Sequence, residues 1–490
     1  MSPSLSVAAH LPPDMRQKLA IEVLTKSKPV SHLATENKVS RKFLHLQGVK
    51  AKKALTECFE PTTPEHEVLF YLPLTKAWLS QLMIGLILIC HSSYRGVIEV
   101  FRDLFDLPIS IGTIHNRLES AAESAVVVNE AQDLSRIKVG LQDEIFQGSQ
   151  PVLAGVDAAS TYCYLLQGVE HRDEETWGWH LLEAMEQGFK PDYTVADGGT
   201  GLRAGQKAVM PKTPCHGDVF HLQHQAQSVV NSLNRLAMGA ATRRQSLEQE
   251  MAEAKQKAQG NRVSKKLTQA RQAESSAIAL SGDVKTLVQW LNHDVLELAG
   301  PALVERQELY DFVVAELRLR EGIGGKKART LRKALQNQRD DILGLAQVLD
   351  DKLAEIAQRL DTPLYWVRQM FLFFRKQPTS QSYWQVWEHL HRKLSWKFHL
   401  LYEAVEEAMK QTPRASSLVE NLNSRLRNYF FLRKQLGPSY LNLLQFFLNH
   451  RQFMRSECEE RVGKSPKELM TGESHPHWLE LLGFKRFQQA

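Results

Sequence analysis

The chain is poor in cysteine and has no long apolar run. Its five cysteines, Cys58, Cys90, Cys163, Cys215 and Cys458, are odd in number, scattered and free of any Cys-x-x-Cys pair. That argues against a disulfide scaffold and fits a reducing cytoplasm. The most apolar stretch, Leu82 to Cys90, is about half of what a membrane span needs, so it reads as a buried helix. There is no charged-then-apolar signal pattern at the start, no internal repeat and no low-complexity tract. Nor does charge of one sign dominate: a net charge of +6 gives a mild bias toward polyanionic partners. What is present is ordinary globular composition, 43% hydrophobic and 24% charged, which is enough to build cores. At 490 residues the chain is too long for one core, and roughly two to four domains are expected.

The first sixty residues read as helical. Asp14 to Leu24 makes one amphipathic helix and Pro29 to Ala34 a short second one. Asn37-Lys38-Val39 turns, and Ser40 caps a third helix, Arg41 to Lys50. Two short helices, a tight turn and a basic helix that starts Arg41-Lys42 make a helix-turn-helix candidate, although trihelical units also occur as plain packing modules. Pro61 to Pro64 reads as a linker. A second helical block runs from about Leu74 to Leu141. In it, Tyr94 to Phe105 forms a helix, Pro108 stops it, and Ser110 caps the next. This places His115, Asn116 and Arg117 near the front of a candidate recognition helix, where base edges are read. A dimerising helical bundle is the alternative.

From 151 to 220 the pattern changes. The apolar run Pro151 to Asp157 and the β-rich run Tyr162 to Gln167 suggest a hairpin. Asp173 caps a helix through Gln187, and Gly188 ends it. A strand Tyr193 to Ala196, a helix Thr200 to Val209 and a short strand near Cys215 to Val219 follow, which together describe a mixed α/β sheet. Leu222 to about Gln411 is almost wholly helical, with a hairpin pattern around Gly260-Asn261 and breaks expected at Gly322–Gly325 and Pro378. The tail from Arg414 is helical again.

Three acids stand out. Asp157 closes one buried strand, and Asp197, followed by Gly198 and Gly199, closes another. Glu420 lies far downstream on a helix, where Glu420, Asn423, Ser424 and Arg427 share one stripe opposite Leu418, Leu422, Leu426 and Tyr429. A solvated surface helix also shows a polar stripe. Carboxylates about 4 Å apart repel by roughly 4 kcal/mol per pair at an effective dielectric near 20, so a cluster persists by taking up protons or binding cations. Mg²⁺ or Mn²⁺, as two ions, suits such an oxygen-rich set and the cutting or joining of phosphodiesters. Cys215, His216, Asp218, His221 and His224 offer five possible metal ligands, but their spacing fits no familiar zinc pattern. Asp218 and His221, three apart at a strand-to-helix junction, are instead placed to reach the carboxylates. Trp290 can stack on an unpaired base or pack in the core. Lys255, Lys257, Arg262, Lys265 and Lys266 can track a DNA backbone or be solvated.

The segments Gly155-Val-Asp-Ala-Ala-Ser-Thr-Tyr-Cys-Tyr, Val195-Ala-Asp-Gly-Gly and Ser417-Leu-Val-Glu-Asn-Leu-Asn-Ser-Arg-Leu-Arg resemble those of bacterial insertion-sequence transposases of the DDE class. So does the tail from Asn449-His-Arg-Gln-Phe to Gly463-Lys-Ser-Pro-Lys-Glu-Leu. The resemblance implies a predominantly helical α+β protein: an RNase H-like mixed α/β core, split by an all-helical insertion domain and preceded by helix-turn-helix units. The implied domains are 1–60, 65–148, 150–225, 226–411 and 412–490, with the core formed by the third and fifth. Asp157, Asp197 and Glu420 would be the catalytic acids and metal ligands, and Asp218-Val-Phe-His221 resembles a C/D-x-x-H element close to the active site. Arg427, His115, Asn116, Arg117, Arg41 and Lys42 would touch DNA. One departure is visible, because a single return run stands where the first three strands of such a core should meander. The implied activity is binding of element ends and metal-dependent DNA cleavage and strand transfer, by a dimer or higher oligomer on double-stranded DNA in the bacterial cytoplasm. A non-catalytic DNA-binding regulator and a nuclease without strand transfer are the rival readings.

Overall fold

The computed structural model describes residues 11–59, 72–256, 260–413, 417–432 and 437–486, with side-chain surroundings for all of these except 254–256, 260–262, 323–326 and 417. Two compact units make up the chain, residues 1–74 and 75–490.

The first unit contains α1 (Pro13–Thr25), α2 (Val30–Glu36) and α3 (Arg41–Phe59) around Leu19, Leu33, Ala34, Val39 and Leu44. A proline begins α1, where its missing N–H costs nothing, and Lys26 closes the helix in the left-handed conformation. Ser40 starts α3 by accepting the Phe43 N–H at 3.1 Å. No proline or glycine interrupts Ala51 to Phe59, so α3 runs past its expected end at Lys50. The expected Pro61–Pro64 linker lies outside the described residues.

The second unit begins with α4 (Lys76–Leu88), α5 (Tyr94–Phe105) and α6 (Ile111–Glu130). The apolar run of α4 is core, with Met83, Ile84, Ile87 and Leu88 buried. Asp106 closes α5, and Ser110 opens α6 by accepting the Thr113 N–H at 3.1 Å. The helical block expected to reach Leu141 ends at Glu130 instead, and Val139–Gln147 is a strand, β1. In it Leu141 and Ile145 enter the apolar core while Glu144 points to the other face.

A two-residue turn, Gly148 (φ +61°) and Ser149, leads from β1 into β2 (Gln150–Asp157). Glycine at the first turn position suits the backbone twist of a tight hairpin. The pair is antiparallel from Gln147↔Gln150 to Gly140↔Asp157, and β3 (Cys163–Gly168) adds antiparallel to β2. The meander is therefore complete, and the run read from the sequence as its first strand is its second. Next come α7 (Glu174–Glu186), capped by Asp173 and followed by Gly188 at φ +96°, then β4 (Tyr193–Ala196), α8 (Thr200–Val209) and β5 (Cys215–Gly217). The five-stranded sheet has the order β3-β2-β1-β4-β5, with β1, β4 and β5 parallel.

Helices α7 and α8 cover one face of this sheet around Trp177, Leu181 and Leu202. The remaining helices follow as α9 (Val219–Gln256), α10 (Gly260–Trp290), a π turn Leu291–Val295, α11 (Leu303–Arg359), α12 (Leu364–Phe373), α13 (Gln381–Leu394), α14 (Lys397–Lys410), α15 (Ser417–Leu432), α16 (Pro438–His450), α17 (Pro466–Thr471) and α18 (Trp478–Leu481). Helices α9 and α10 pack along each other as the expected hairpin. The break expected at Gly322–Gly325 is absent, because α11 passes straight through it. Each glycine there costs about 1 kcal/mol relative to alanine, which the long flanks of good helix formers outweigh. Helix α15 rests on β1 and β2, and α16 is buried against β3 and α6. Asn449 of α16 clamps the edge strand by accepting from the Cys163 N–H at 2.7 Å and donating to its carbonyl at 2.8 Å. The chain is thus mostly helical with one mixed sheet, an α+β arrangement. Among the described residues no helix is long and apolar enough to cross a membrane.

Candidate metal centre

Strand register brings two acids together. The parallel pairing of β1 with β4 runs to Gln142↔Ala196, so the next residues, Asp143 and Asp197, stand level at the ends of neighbouring parallel strands. Alternation turns both toward the face that carries Leu141 and Val195. Helix α15 crosses that face with Glu420 in its first turn and Asn423 almost one turn later. Helix α9 starts immediately after β5 and contributes His221. The ligand atoms of Asp143, His221 and Glu420 all lie within 4.8 Å of one another. Among the described residues this is the one such group of potential metal ligands.

Asp143 is buried, with one carboxylate oxygen accepting the Asn423 amide at 2.8 Å and the other the Glu144 N–H at 2.8 Å. Burial pushes its pKa up to about 6. The Glu144 N–H and His221 work against that rise, and the negative charges of Asp197 and Glu420 add to it. Asn423 keeps a buried carbonyl oxygen without a partner among the described residues. A buried carboxylate held beside two others, next to an orphaned acceptor, is an environment that a hydrated cation satisfies. The donor set, two carboxylates with one imidazole, is of a kind that holds a divalent cation.

Asp197 stands beside this group. Its Oδ1 accepts the Gly199 N–H at 2.8 Å, and Arg203 donates to its backbone carbonyl at 2.9 Å. Asp218 is buried and serves as a support: its carboxylate accepts the Phe220 and His221 N–H groups at the start of α9, and its other oxygen lies 4.0 Å from the His221 ring. An open cleft of about 550 Å³ adjoins the centre, lined by Asp197, Gly198, His221, His224, Lys327 and Gln338 among others.

Asp157 is not brought to this centre. It pairs with Gly140, three residues before Asp143, and so lies about 10 Å back along the sheet. It also faces the opposite side, since its neighbour Val156 is the one that enters the α15 face. Its carboxylate instead accepts the Ser160 N–H at 2.8 Å and holds the β2–β3 turn, with Arg461 as the nearest positive charge. The acid that stands with Glu420 and His221 is Asp143. Sequence reasoning misses its strand because Gln142, Asp143, Glu144 and Gln147 interrupt the apolar pattern, although the Gly148-Ser149 turn signal is present.

The other expected residues fall in three groups. His115, Asn116 and Arg117 are exposed on α6, on the side opposite Ile114 and Leu118. Arg41 and Lys42 are exposed at the front of α3 in the other unit, and Arg427 is exposed on α15. Cys215, His216 and His224 do not converge: Cys215 packs with the α7–α8 core, His216 lies against Tyr193 at 5.1 Å, and His224 stacks on Phe220. Trp290 is 42% exposed with its ring tilted on Phe312. Lys265 and Lys266 are exposed, whereas the surroundings of Lys255, Lys257 and Arg262 lie outside those described.

A scan against known protein families and a search of curated proteins each return no match for this chain.

Proposed function

We propose that the chain is a DNA transposase of the DDE class: it binds the ends of its own mobile element and cuts and joins DNA with the help of a divalent cation. The observation that supports this reading is the gathering of Asp143, His221 and Glu420 within 4.8 Å of one another, with Asp197 just beyond the end of the strand next to that of Asp143. The sheet order β3-β2-β1-β4-β5, with a meander followed by parallel strands, supports an RNase H-like core. The helices between β5 and α15 then form the insertion that separates the third acid from the first two.

In this reading each part of the chain has a chemical task. Asp143, Glu420 and His221 would hold the cation, with Asp197 close by. Bound there, a divalent cation stabilises the charge that builds on the attacking and leaving oxygens of an in-line phosphoryl transfer. Asn423 fixes the orientation of Asp143, and Asp218 fixes the start of α9 and so His221. The exposed front of α6, with His115, Asn116 and Arg117, is shaped for the major groove, and so is the front of α3 with Arg41 and Lys42. Arg427, on the free side of α15, is available to a phosphate. Handling two element ends together calls for a dimer or larger assembly on DNA.

The test is incubation of the purified chain with the DNA that flanks its own gene, Mn²⁺ and a target plasmid, with every cut strand mapped. Cuts at the element ends that expose 3′-hydroxyls, later joined to the plasmid, are expected. Binding without metal-dependent cutting would make the chain a regulator. Cutting without joining would make it a nuclease.

A further inference from the structure

Helices α9 and α11 lead away from the metal centre side by side, and the cleft between them takes no part in the chemistry of the acids. At its inner end Gln338 of α11 meets the acid loop: a Cβ at Gly198, the residue after Asp197, would lie 3.0 Å from the Gln338 Nε2. His221, at the start of α9, lines this same end. At the outer end Lys327 of α11 donates to Ser232 of α9 at 2.9 Å. The two helices are therefore antiparallel along the cleft. Lys327 to Gln338 and His221 to Ser232 each span about 16 Å of helix, at 1.5 Å per residue.

The lining of this cleft of about 550 Å³ sorts by position. Val229 and Leu331 are buried and make an apolar floor. Gln225 and Ser228 stand on one wall and Gln338 on the other, and among the described residues these three side chains have no hydrogen-bond partner. Asp197 is the one acid in the lining, and it belongs to the metal centre. Lys327 is the one ammonium, at the far end.

That pattern suits an extended single strand of nucleic acid. A single strand brings a phosphate for the ammonium, base edges for the unengaged amides, and apolar sugar and base faces for the floor. The volume falls within the range of small-ligand clefts, roughly 300–1,000 Å³. It holds one strand and not a duplex, whose major groove alone is about 12 Å wide.

We propose that the cleft between α9 and α11 binds an unpaired stretch of the DNA strand that the metal centre cuts. Lys327 holds a backbone phosphate there, and Gln338 positions the nucleotide beside the acids. This rests on the proposed function for which strand enters, while the single-strand chemistry of the cleft does not depend on it. A duplex must then open at its end before its strand reaches the acids.

The experiment uses the full chain in EDTA, so that no cutting occurs, with two labelled forms of the flanking DNA. One is fully paired and the other carries an unpaired 3′ thymidine extension. Lys327→Met removes the ammonium, Lys327→Arg keeps the charge, and Ser228→Trp fills the cleft from a position outside the metal centre. Lys327→Met and Ser228→Trp are each expected to weaken binding of the extended DNA about tenfold and to leave the paired DNA unchanged. Lys327→Met should also lower the slope of log affinity against log salt by about 0.7 on the extended DNA, which loss of the bond to Ser232 alone would not do. Lys327→Arg should keep the wild-type slope. Unchanged affinity for the extended DNA in folded Ser228→Trp and Lys327→Met overturns the proposal. Equal weakening on both DNA forms also overturns it, since the cleft would then touch duplex. Selective loss in a chain that never cuts DNA with Mn²⁺ keeps the cleft's role and sinks only the transposase reading. Unchanged binding in a chain that cuts and joins DNA does the reverse.

Discussion

Asn423 of α15 donates its side-chain amide to Asp143 of β1 at 2.8 Å, and this bond ties the helix that carries Glu420 to the strand that carries Asp143. Both partners are buried, so the bond is shielded from water and orients the carboxylate. Asn423→Ala should leave the fold intact, cost about 1–3 kcal/mol for the unsatisfied group, and cut metal-dependent DNA cleavage about 10- to 100-fold, as loss of a supporting hydrogen bond at a metal site does. Chemical unfolding and a cleavage time course at saturating Mn²⁺ check the two parts. Cleavage at the wild-type rate would remove Asn423 from the site.

Asp143 gives a pH signature with a definite sign. Its folded pKa, about 6, lies above its ordinary value of 3.8, chiefly through burial. The folded state therefore binds the proton more tightly than the unfolded chain does. The penalty is absent below about pH 4, grows as pH rises, and is complete above about pH 6. In EDTA, Asp143→Asn should match wild type at pH 4 and exceed it by about 1–3 kcal/mol at pH 7. The distance between the folded and ordinary pKa, at about 1.4 kcal/mol per pH unit, sets the upper limit. Urea unfolding across this range measures the gap. A gap independent of pH contradicts the account. For the same reason, Mn²⁺ affinity in wild type should rise as pH passes through about 6, since the cation displaces the proton.

A third prediction concerns the edge of the sheet rather than the chemistry. His216 of β5 sits in a recess against Gly344 of α11, where a Cβ would strike the imidazole ring. Burial keeps the His216 pKa down at about 4, so the ring stays neutral in the working range. Gly344→Ala should destabilise by about 1–3 kcal/mol through overpacking. In a His216→Ala background the same change should cost much less, because the two sites share one space. Equal costs in both backgrounds, by thermal or chemical unfolding, would show that the contact does not hold α11 to the sheet.

Much of this architecture is legible in the sequence, and the part that is not has physical causes. Caps give themselves away: Ser40, Ser110 and Asp173 each precede an apolar-periodic run and each accepts the expected backbone N–H. The strands β2, β3 and β4 are short, largely apolar runs bounded by turns, and they fold as such. Strand β1 is different. It carries polar residues on both faces, Asp143 toward Glu420 and His221 and Glu144 toward Trp177 and Arg172, so it lacks the simple alternation that marks a half-buried strand. The site's own chemistry hides the strand that bears it.

Asp157 stands apart from the other expected acids for a related reason. Asp157 closes an apolar strand as a catalytic acid can, yet a carboxylate that accepts two N–H bonds in a turn leaves the same trace. Only the pairing register, Gly140 with Asp157 and Gln142 with Ala196, separates the two roles. Asp197, Glu420 and His221 stand out in the sequence and do gather near one point.

Central to the account is that Asp143, and not Asp157, completes the carboxylate centre. The most direct measurement is Mn²⁺-dependent cutting of the flanking DNA by Asp143→Asn and Asp157→Asn, side by side with wild type and with matched DNA binding. Asp143→Asn should lower the cutting rate by more than about a hundredfold, because it removes a metal ligand. Asp157→Asn should stay within a few fold of wild type, because the amide can still accept in the turn. An inactive Asp157→Asn beside an active Asp143→Asn would contradict it.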